Sequence, residues 1–171
     1  MMAACDGDID EQMGVALDFD RPPLVAIPTT AGTGSEATQF TIINNTRQGI
    51  KMLLAGAKVC PTLPLWTRSS HARRRRASRQ TRVLTLCGHA LESATSKKMQ
   101  PMSYTFSISA INVSCTSLHV LYRARNVSAP QMAIAATEAG VAFNNASVTI
   151  IHGMSRPIGA LFHVPHGLSN A

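Results

Sequence analysis

Short apolar runs separated by turn-forming residues mark the first third of the chain. Residues 24–27 (Leu-Val-Ala-Ile) form an uninterrupted apolar run that ends at Pro28, which predicts a buried parallel strand. Further strands are predicted at residues 40–44 and 51–54, with a turn at Asn44 and Asn45 between them. In open α/β sheets, ligands bind just beyond the carboxyl ends of such strands.

Helical spacing of apolar residues appears in the last third of the chain. It predicts a helix over residues 129–143, which Gly140 weakens near its end. A further apolar run leads into His152. Its residues 148–151 predict part of a buried helix, with a strand as the alternative.

The segment after the first predicted strand is a candidate ligand-binding loop. Residues 29–38 are small and rich in hydroxyl groups, and Gly32 and Gly34 let backbone N–H groups approach a ligand closely. Taken alone, this pattern fits an ordinary turn equally well.

Three histidines in apolar surroundings are candidate metal ligands. His152 and His166 each precede a glycine and lie fourteen residues apart, and His89 follows a glycine in a similar setting. Neutral imidazole binds iron, zinc, copper and nickel well. One such histidine is more typical of a satisfied core residue, whereas three together favour a metal site.

Composition limits the class of protein. With 171 residues, the chain is long enough for one domain or for parts of two. A hydrophobic fraction of 45% with 15% charged residues is typical of a folded protein. No apolar run is long enough for a membrane span, and the acidic start does not resemble a secretory signal. The four cysteines show no Cys-x-x-Cys pair, which favours a reducing compartment.

The positive charge is concentrated in one stretch. The net charge is +7, and seven of the sixteen Lys and Arg residues lie between Arg68 and Arg82. Because no aromatic side chains for base stacking surround them, we expect no nucleic-acid partner.

Several motifs together resemble the iron-containing (group III) alcohol dehydrogenases. Residues 28–36 (Pro-Thr-Thr-Ala-Gly-Thr-Gly-Ser-Glu) resemble the signature loop of that family, and residues 89–93 (His-Ala-Leu-Glu-Ser) resemble the end of its metal motif. Residues 139–146 with the later His-Gly pairs resemble its second signature. The resemblance covers most of residues 24–64 and 89–171 and implies a dehydroquinate synthase-like architecture. We therefore expect the carboxyl-side part of an α/β nucleotide-binding domain at residues 1–70 and the start of an all-α metal-binding domain at residues 71–171.

The resemblance also implies a site. His89, His152 and His166 match the three histidines that, with one aspartate, hold Fe²⁺ or Zn²⁺ in the family. Thr85 stands four residues before His89, where the aspartate is expected, so that ligand is missing. The residues expected to contact NAD or NADP are Thr29, Thr30, Gly32, Thr33, Gly34, Ser35 and Lys51, although a solvated surface role for the lysine is nearly as good an interpretation.

A reading-frame slip is our hypothesis for two stretches that lose the family's residues while keeping its spacing. These are residues 65–88 and 112–117. Read one frame over, bases that encode Thr85-Leu86-Cys87 spell Asp-Ala-Leu, which recovers the missing ligand. Resequencing of the coding DNA tests the hypothesis.

Function follows from the resemblance as an expectation. We expect a metal-dependent, NAD(P)-linked dehydrogenase of a small-molecule alcohol or aldehyde, impaired because the chain resembles a middle piece of the family. The alternative is an inactive fragment that serves as a binding or subunit-association module. The intact family implies a homo-oligomer, and the expected location is cytoplasmic, with mitochondria as the alternative.

Overall fold

The computed structural model describes residues 8–17, 19–66, 76–122 and 128–170. Its first part contains short strands and its second part contains helices. The strands are β1 (Val25–Ala26), β2 (Phe40–Asn45), β3 (Ile50–Ala55) and β4 (Leu63–Pro64). The helices are α1 (Arg76–Thr95), α2 (Pro101–Tyr122), α3 (Ala129–Ala146), α4 (Ile150–Leu161) and α5 (His166–Ser169). Single turns of 3₁₀ helix occur at Ile9–Gln12, Ser35–Ala37 and Ala57–Val59.

The first predicted strand is parallel, but it is not buried. Val25 of β1 pairs with Leu63 of β4 in parallel register. The side chains of Leu24, Val25 and Ile27 are nevertheless 45–55% exposed, so the prediction of burial was wrong. In the described part of the chain, β1 has a single neighbouring strand, whereas a parallel strand is buried when strands flank it and helices cover it.

The other two predicted strands form an antiparallel hairpin. β2 and β3 pair from Phe40 opposite Ala55 to Asn45 opposite Ile50, which confirms both strands. The predicted turn was wrong by two residues, because Asn45 belongs to β2 and the chain reverses after it. The Asn45 side-chain oxygen accepts hydrogen bonds from the backbone N–H groups of Arg47 and Gln48, at 3.0 and 3.1 Å. The asparagine thus stabilises the turn from the preceding strand position.

Small residues allow α1, α2 and α3 to pack closely. Their core is rich in alanine and consists of Val83, Leu86, Ala90, Ala110, Met132, Ala135, Ala136 and Ala139. Between α1 and α2, the hydroxyl groups of Ser93 and Ser107 form a buried hydrogen bond of 2.6 Å. The predicted helix at residues 129–143 is confirmed, and α3 continues to Ala146. None of the described helices combines the length and apolar character needed to cross a membrane.

The connection between α3 and α4 differs from the predicted buried helix at residues 148–151. Ser147 leaves α3 with a φ of +69°, and α4 begins only at Ile150. Ile150 is 72% exposed, so the predicted helix was wrong for the first two residues and the predicted burial was wrong for Ile150. Neither the predicted helix nor the alternative strand describes this short connection between α3 and α4.

A few sequence features lie outside the described residues. The first part of the basic stretch (residues 68–75), His71 and the domain boundary expected near residue 70 fall there. Residues 112–117 belong to α2, where Ser114 is fully buried. The frame-slip hypothesis concerns the coding DNA and stays a prediction.

Candidate metal and cofactor site

The three predicted metal ligands come together in space. His89 lies on α1, His152 on α4 and His166 at the start of α5, and one ring nitrogen of each lies within 4.8 Å of those of the others. The rings of His89 and His152 stack with centroids 4.7 Å apart. Phe143 of α3 covers the other side of His89, at a centroid distance of 4.3 Å. Four helices therefore build the cluster.

Burial lowers the pKa of two of the three rings. His89 is 5% exposed and His152 is 4% exposed. Burial, together with the charges that its two neighbours carry when protonated, lowers the pKa of His89 well below its ordinary value. Burial and the nearby cationic groups lower the pKa of His166 to about 4. At neutral pH, these two rings are free bases with lone pairs available for a metal.

Glu92 organises the start of α4. Its Oε1 accepts hydrogen bonds from the backbone N–H groups of Thr149 and Ile151, at 2.9 and 2.7 Å, and from the Thr149 hydroxyl at 3.0 Å. A carboxylate at this end of a helix satisfies unpaired N–H groups and complements the helix dipole. Glu92 is 2% exposed, so these bonds form in a dry environment.

The other oxygen of Glu92 fixes the orientation of His152. Oε2 is hydrogen-bonded to Nδ1 of His152. Burial alone would raise the pKa of Glu92, but the hydrogen bond and charge of His152, with the hydrogen bonds from Thr149 and the backbone, hold that pKa at about 2. Because Nδ1 of His152 is bound by this carboxylate, Nε2 is the nitrogen of that ring that faces the cluster.

Thr85 occupies the expected aspartate position and offers no carboxylate. It is 4% exposed, and its hydroxyl donates a hydrogen bond to the carbonyl oxygen of Thr81, at 2.9 Å. α5 lies directly against it, because a Cβ built on Gly167 would lie 2.6 Å from the Thr85 hydroxyl oxygen. The hydroxyl group is thus engaged within its own helix.

The donor set nevertheless fits a divalent metal ion. Nδ1 of His89 is buried and has no hydrogen-bond partner in the part of the chain that the structure describes. Three imidazoles with one open position are a known ligand set for catalytic zinc, and imidazole also suits iron. The cluster offers a ring nitrogen of His89 without a partner, a His166 ring with a lowered pKa and a His152 ring that a carboxylate orients. Such an ion requires ring nitrogens of this kind.

Part of the predicted cofactor loop shares a cavity with the histidines. A cavity of about 450 Å³ is lined by Thr33, Ser35 and Lys51 together with His89, His152 and His166. Thr29, Thr30, Gly32 and Gly34 are not among its lining residues. The hairpin β2–β3 forms one wall through Phe40 and Leu53.

The two loop glycines permit close packing against helices. A Cβ built on Gly34, whose φ is +63°, would lie 2.3 Å from the carbonyl oxygen of Ala136 and 2.7 Å from Cα of Gly140. A Cβ on Gly32 would lie 2.9 Å from Cβ of Arg82. Side chains at these positions would collide with α3 and α1, so the structure gives each glycine a packing reason.

The rest of the loop is attached along one face of α3. The Thr137 hydroxyl donates to Oε1 of Glu36 at 2.5 Å, and the Gln39 backbone N–H donates to the Asn144 side-chain oxygen at 2.8 Å. Together with the contact between Gly34 and Gly140, these bonds hold the loop against the helix that carries Phe143. The positions of the loop and the histidines are therefore coupled.

Two cations enter the cavity. Lys51 of β3 reaches across Gly159 of α4, and Arg156 of α4 lines the same space. No salt bridge with a described residue is found for either side chain, and no Asp or Glu lines the cavity. The remaining described histidines, His119 and His163, are exposed and lie outside the cluster.

Two residues of the site were not predicted from the sequence. Glu92 was not among the predicted site residues, although it lies three positions after His89 on one helix. Asn170 was not singled out, although it follows His166 by four positions and lies beside two of the rings. Spacing along the helix was the available signal in both cases.

Two protein-family models match the chain. The model described as iron-containing alcohol dehydrogenase matches residues 2–67, and that of the C-terminal part of the Fe-containing alcohol dehydrogenase family matches residues 81–171. A similar protein is the 1,3-propanediol dehydrogenase of Klebsiella pneumoniae, 30% identical over 99% of this chain and 44% of its own length. The NAD-dependent methanol dehydrogenase of Bacillus methanolicus is 30% identical over 100% of this chain and 46% of its own length.

The fold agrees with these matches. The crystal structure of a 1,3-propanediol oxidoreductase superposes with a TM-score of 0.89 at 30% sequence identity, covering 98% of this chain and 45% of that one. The predicted fold class is therefore confirmed. The chain spans less than half the length of the relatives it matches.

Proposed function

Since this chain belongs to the iron-containing alcohol dehydrogenase family, we propose that it serves hydride transfer between a small alcohol or aldehyde and NAD or NADP. The metal site of this proposal consists of His89, His152 and His166. The observation that carries it is the meeting of three imidazoles at one end of a cavity whose wall includes the Thr33 and Ser35 loop.

Fe²⁺ or Zn²⁺ is the expected occupant of the histidine cluster. A bound ion would supply Lewis acidity that makes the hydroxyl group of an alcohol more acidic, and a bound nicotinamide would supply the hydride acceptor. The choice between the two metals, and between NAD and NADP, is left to the measurement below.

The residues of this chain orient the partners and exclude water. Glu92 holds His152 so that its Nε2 faces the cavity. Phe143 and Leu53 give the cavity apolar walls, which limit access of water to the reacting groups. Thr33, Ser35 and Lys51 supply polar groups on the side assigned to the cofactor, and cofactor contacts by Thr29, Thr30, Gly32 and Gly34 remain predictions.

Reconstitution tests the proposed function. The purified chain is loaded with Fe²⁺ under anaerobic conditions or with Zn²⁺, and its metal content and its alcohol-dependent reduction of NAD and of NADP are measured. We expect one metal ion per chain, lost in a His89→Ala His152→Ala double variant, together with NADH or NADPH formation above that of the metal-free chain. A chain that binds one metal ion but forms neither NADH nor NADPH with alcohols of increasing length contradicts the catalytic part of the proposal.

The second candidate function is subunit association without catalysis. One observation favours it: the outward face of α4 and the residue after it are apolar and exposed. Ile150, Met154, Leu161 and Phe162 are 60–72% exposed. Such a face is typical of an interface. If the chain is inactive but forms oligomers that an Ile150→Lys Met154→Lys variant disrupts, this second function replaces the first.

A reducing compartment suits either function. Cys60, Cys87 and Cys115 are free thiols, and such residues persist where disulfides do not form. We therefore assign the protein to the cytoplasm, with mitochondria as the alternative.

A further inference from the structure

The histidine cluster has a second candidate for its fourth ligand. We propose that the side-chain carbonyl oxygen of Asn170 completes the metal site in this chain, in place of the aspartate that Thr85 replaces. This inference rests on the metal site of the proposed function and adds a ligand to it.

Asn170 lies beside two of the three rings of the cluster. It follows α5, and its backbone N–H donates to the carbonyl oxygen of His166, so its side chain projects from the same face as that ring. Its side-chain nitrogen lies 3.2 Å from Nε2 of His152 and 3.3 Å from Nε2 of His166. Asn170 is only 9% exposed, so solvent has little access to the group.

The amide donates to two ring nitrogens in the metal-free arrangement. Glu92 binds Nδ1 of His152, which leaves Nε2 of that ring as an acceptor for one amide hydrogen. The other amide hydrogen points to Nε2 of His166. The side-chain oxygen of Asn170 is then buried without a hydrogen-bond partner among the described residues. A buried carbonyl group without a partner is costly and therefore uncommon.

A cation between the rings reverses the preferred orientation of the amide. The ring nitrogens then direct their lone pairs at the cation, so they no longer accept hydrogen bonds from Asn170. The amide nitrogen carries hydrogens and no donor lone pair, whereas the carbonyl oxygen has two lone pairs. Rotation of the amide by about 180° exchanges the two atoms in nearly the same positions. The oxygen then faces the cation and is no longer without a partner.

Thr85 does not compete for this role. The Thr85 hydroxyl donates a hydrogen bond to the carbonyl oxygen of Thr81, and the Thr85 side chain packs against Gly167. A neutral amide oxygen is a weaker ligand than a carboxylate, because it adds no negative charge to the site. We therefore expect measurable metal binding that is weaker than with an aspartate at position 85.

A double-mutant cycle on metal affinity tests the assignment. Zn²⁺ affinity is measured by competition with a chromophoric chelator for the unmodified chain, Asn170→Ala, Thr85→Asp and the double variant. If Asn170 is a ligand, its removal weakens Zn²⁺ binding by about tenfold or more in the unmodified chain. In the Thr85→Asp background, where a carboxylate supplies the oxygen, the same removal should weaken binding by about threefold or less.

Two further measurements separate ligand loss from misfolding. Asn170→Asp keeps the size of the side chain and an oxygen donor, so it should bind Zn²⁺ at least as tightly as the unmodified chain. The visible absorption of bound Co²⁺ reports the coordination number, and it should indicate one protein ligand fewer in Asn170→Ala than in the unmodified chain or Asn170→Asp. The far-ultraviolet circular dichroism of these chains without metal should be the same.

The outcomes distinguish this inference from the proposed function. Equal Zn²⁺ affinity of the unmodified chain and Asn170→Ala, within twofold, overturns the role of Asn170 and leaves the three-histidine site intact. Equal losses in both backgrounds also overturn it, because Asn170 then acts independently of the oxygen at position 85. Failure of the unmodified chain to bind Zn²⁺ overturns the metal site itself.

Discussion

The carboxylate of Glu92 on α1 is hydrogen-bonded to Nδ1 of His152 on α4, and both side chains are buried. The same carboxylate binds the N–H groups at the start of α4. One side chain therefore sets both the position of the helix and the orientation of the ring. A carboxylate behind a histidine ligand commonly has this effect on metal sites.

Substitution of Glu92 should weaken metal binding while the fold persists. In Glu92→Gln, one oxygen still accepts from the start of α4, but the amide group no longer fixes the proton of His152 on Nδ1. We expect Zn²⁺ affinity to fall by about 10- to 100-fold, measured by chelator competition. Glu36→Gln is the matched control, because Glu36 is also a buried carboxylate but binds Thr137. Equal affinities of Glu92→Gln and the control would contradict the orienting role.

Acid should destabilise the metal-free chain in a defined pH range. The pKa of His166 is lowered from its ordinary value of 6.5 to about 4, and that of His89 is also lowered. Between these values the unfolded chain binds more protons than the folded chain, so the free energy of unfolding decreases as the pH falls from about 6.5 towards 4. Below about 4.5, protonation of Glu92, whose folded pKa is about 2, adds to the loss.

Urea denaturation of the metal-free chain at several pH values measures this effect. In His166→Gln, which cannot titrate, the decrease between pH 6.5 and 4 should be smaller. A free energy of unfolding that stays constant over this range would show that the rings are not held as free bases in the folded chain.

Gly34 should tolerate no side chain. In Gly34→Ala, the new Cβ meets the Ala136 carbonyl oxygen at a distance of 2.3 Å, and the φ of +63° is itself unfavourable for alanine. We expect a loss of about 3 kcal/mol in the free energy of unfolding. Gly49→Ala is the control, because its φ is +66° but nothing lies within 4 Å of its Cβ. It should lose only about 1 kcal/mol, and equal losses would argue against the contact with α3.

Replacement of Ser147 by glycine should stabilise the folded chain. Its φ of +69° and ψ of 172° lie in a region that is accessible almost only to glycine. Ser147→Gly should raise the free energy of unfolding by about 1 kcal/mol, because relief of this strain exceeds the entropy cost of a glycine. Thermal unfolding followed by circular dichroism measures the change. Ser147→Ala keeps the strain and should show no gain.

Some local elements could be predicted from the sequence, whereas no pattern of apolar residues predicted α1 or α2. The strands at residues 40–44 and 51–54 and the helix that begins at Ala129 follow from the spacing of their apolar residues, which local physics sets. The burial of β1 and the turn after β2 could not be predicted in this way. The first depends on which strands flank β1, and the second depends on the hydrogen bonds that the Asn45 side chain makes across the turn.

The family motifs and the three histidines could be identified from the sequence, because their spacing on helices and loops is a local property. The contacts of Glu92 and Asn170 with His152 depend on the tertiary structure. Glu92 lies 60 residues from His152 along the chain, and Asn170 lies 18 residues from it. Contacts between residues so distant in sequence depend on how α1, α4 and α5 pack together, and no local pattern encodes that packing. The loop glycines illustrate both points. Their spacing identifies the motif, whereas the packing of α1 and α3 against the loop leaves no room for a side chain at these positions.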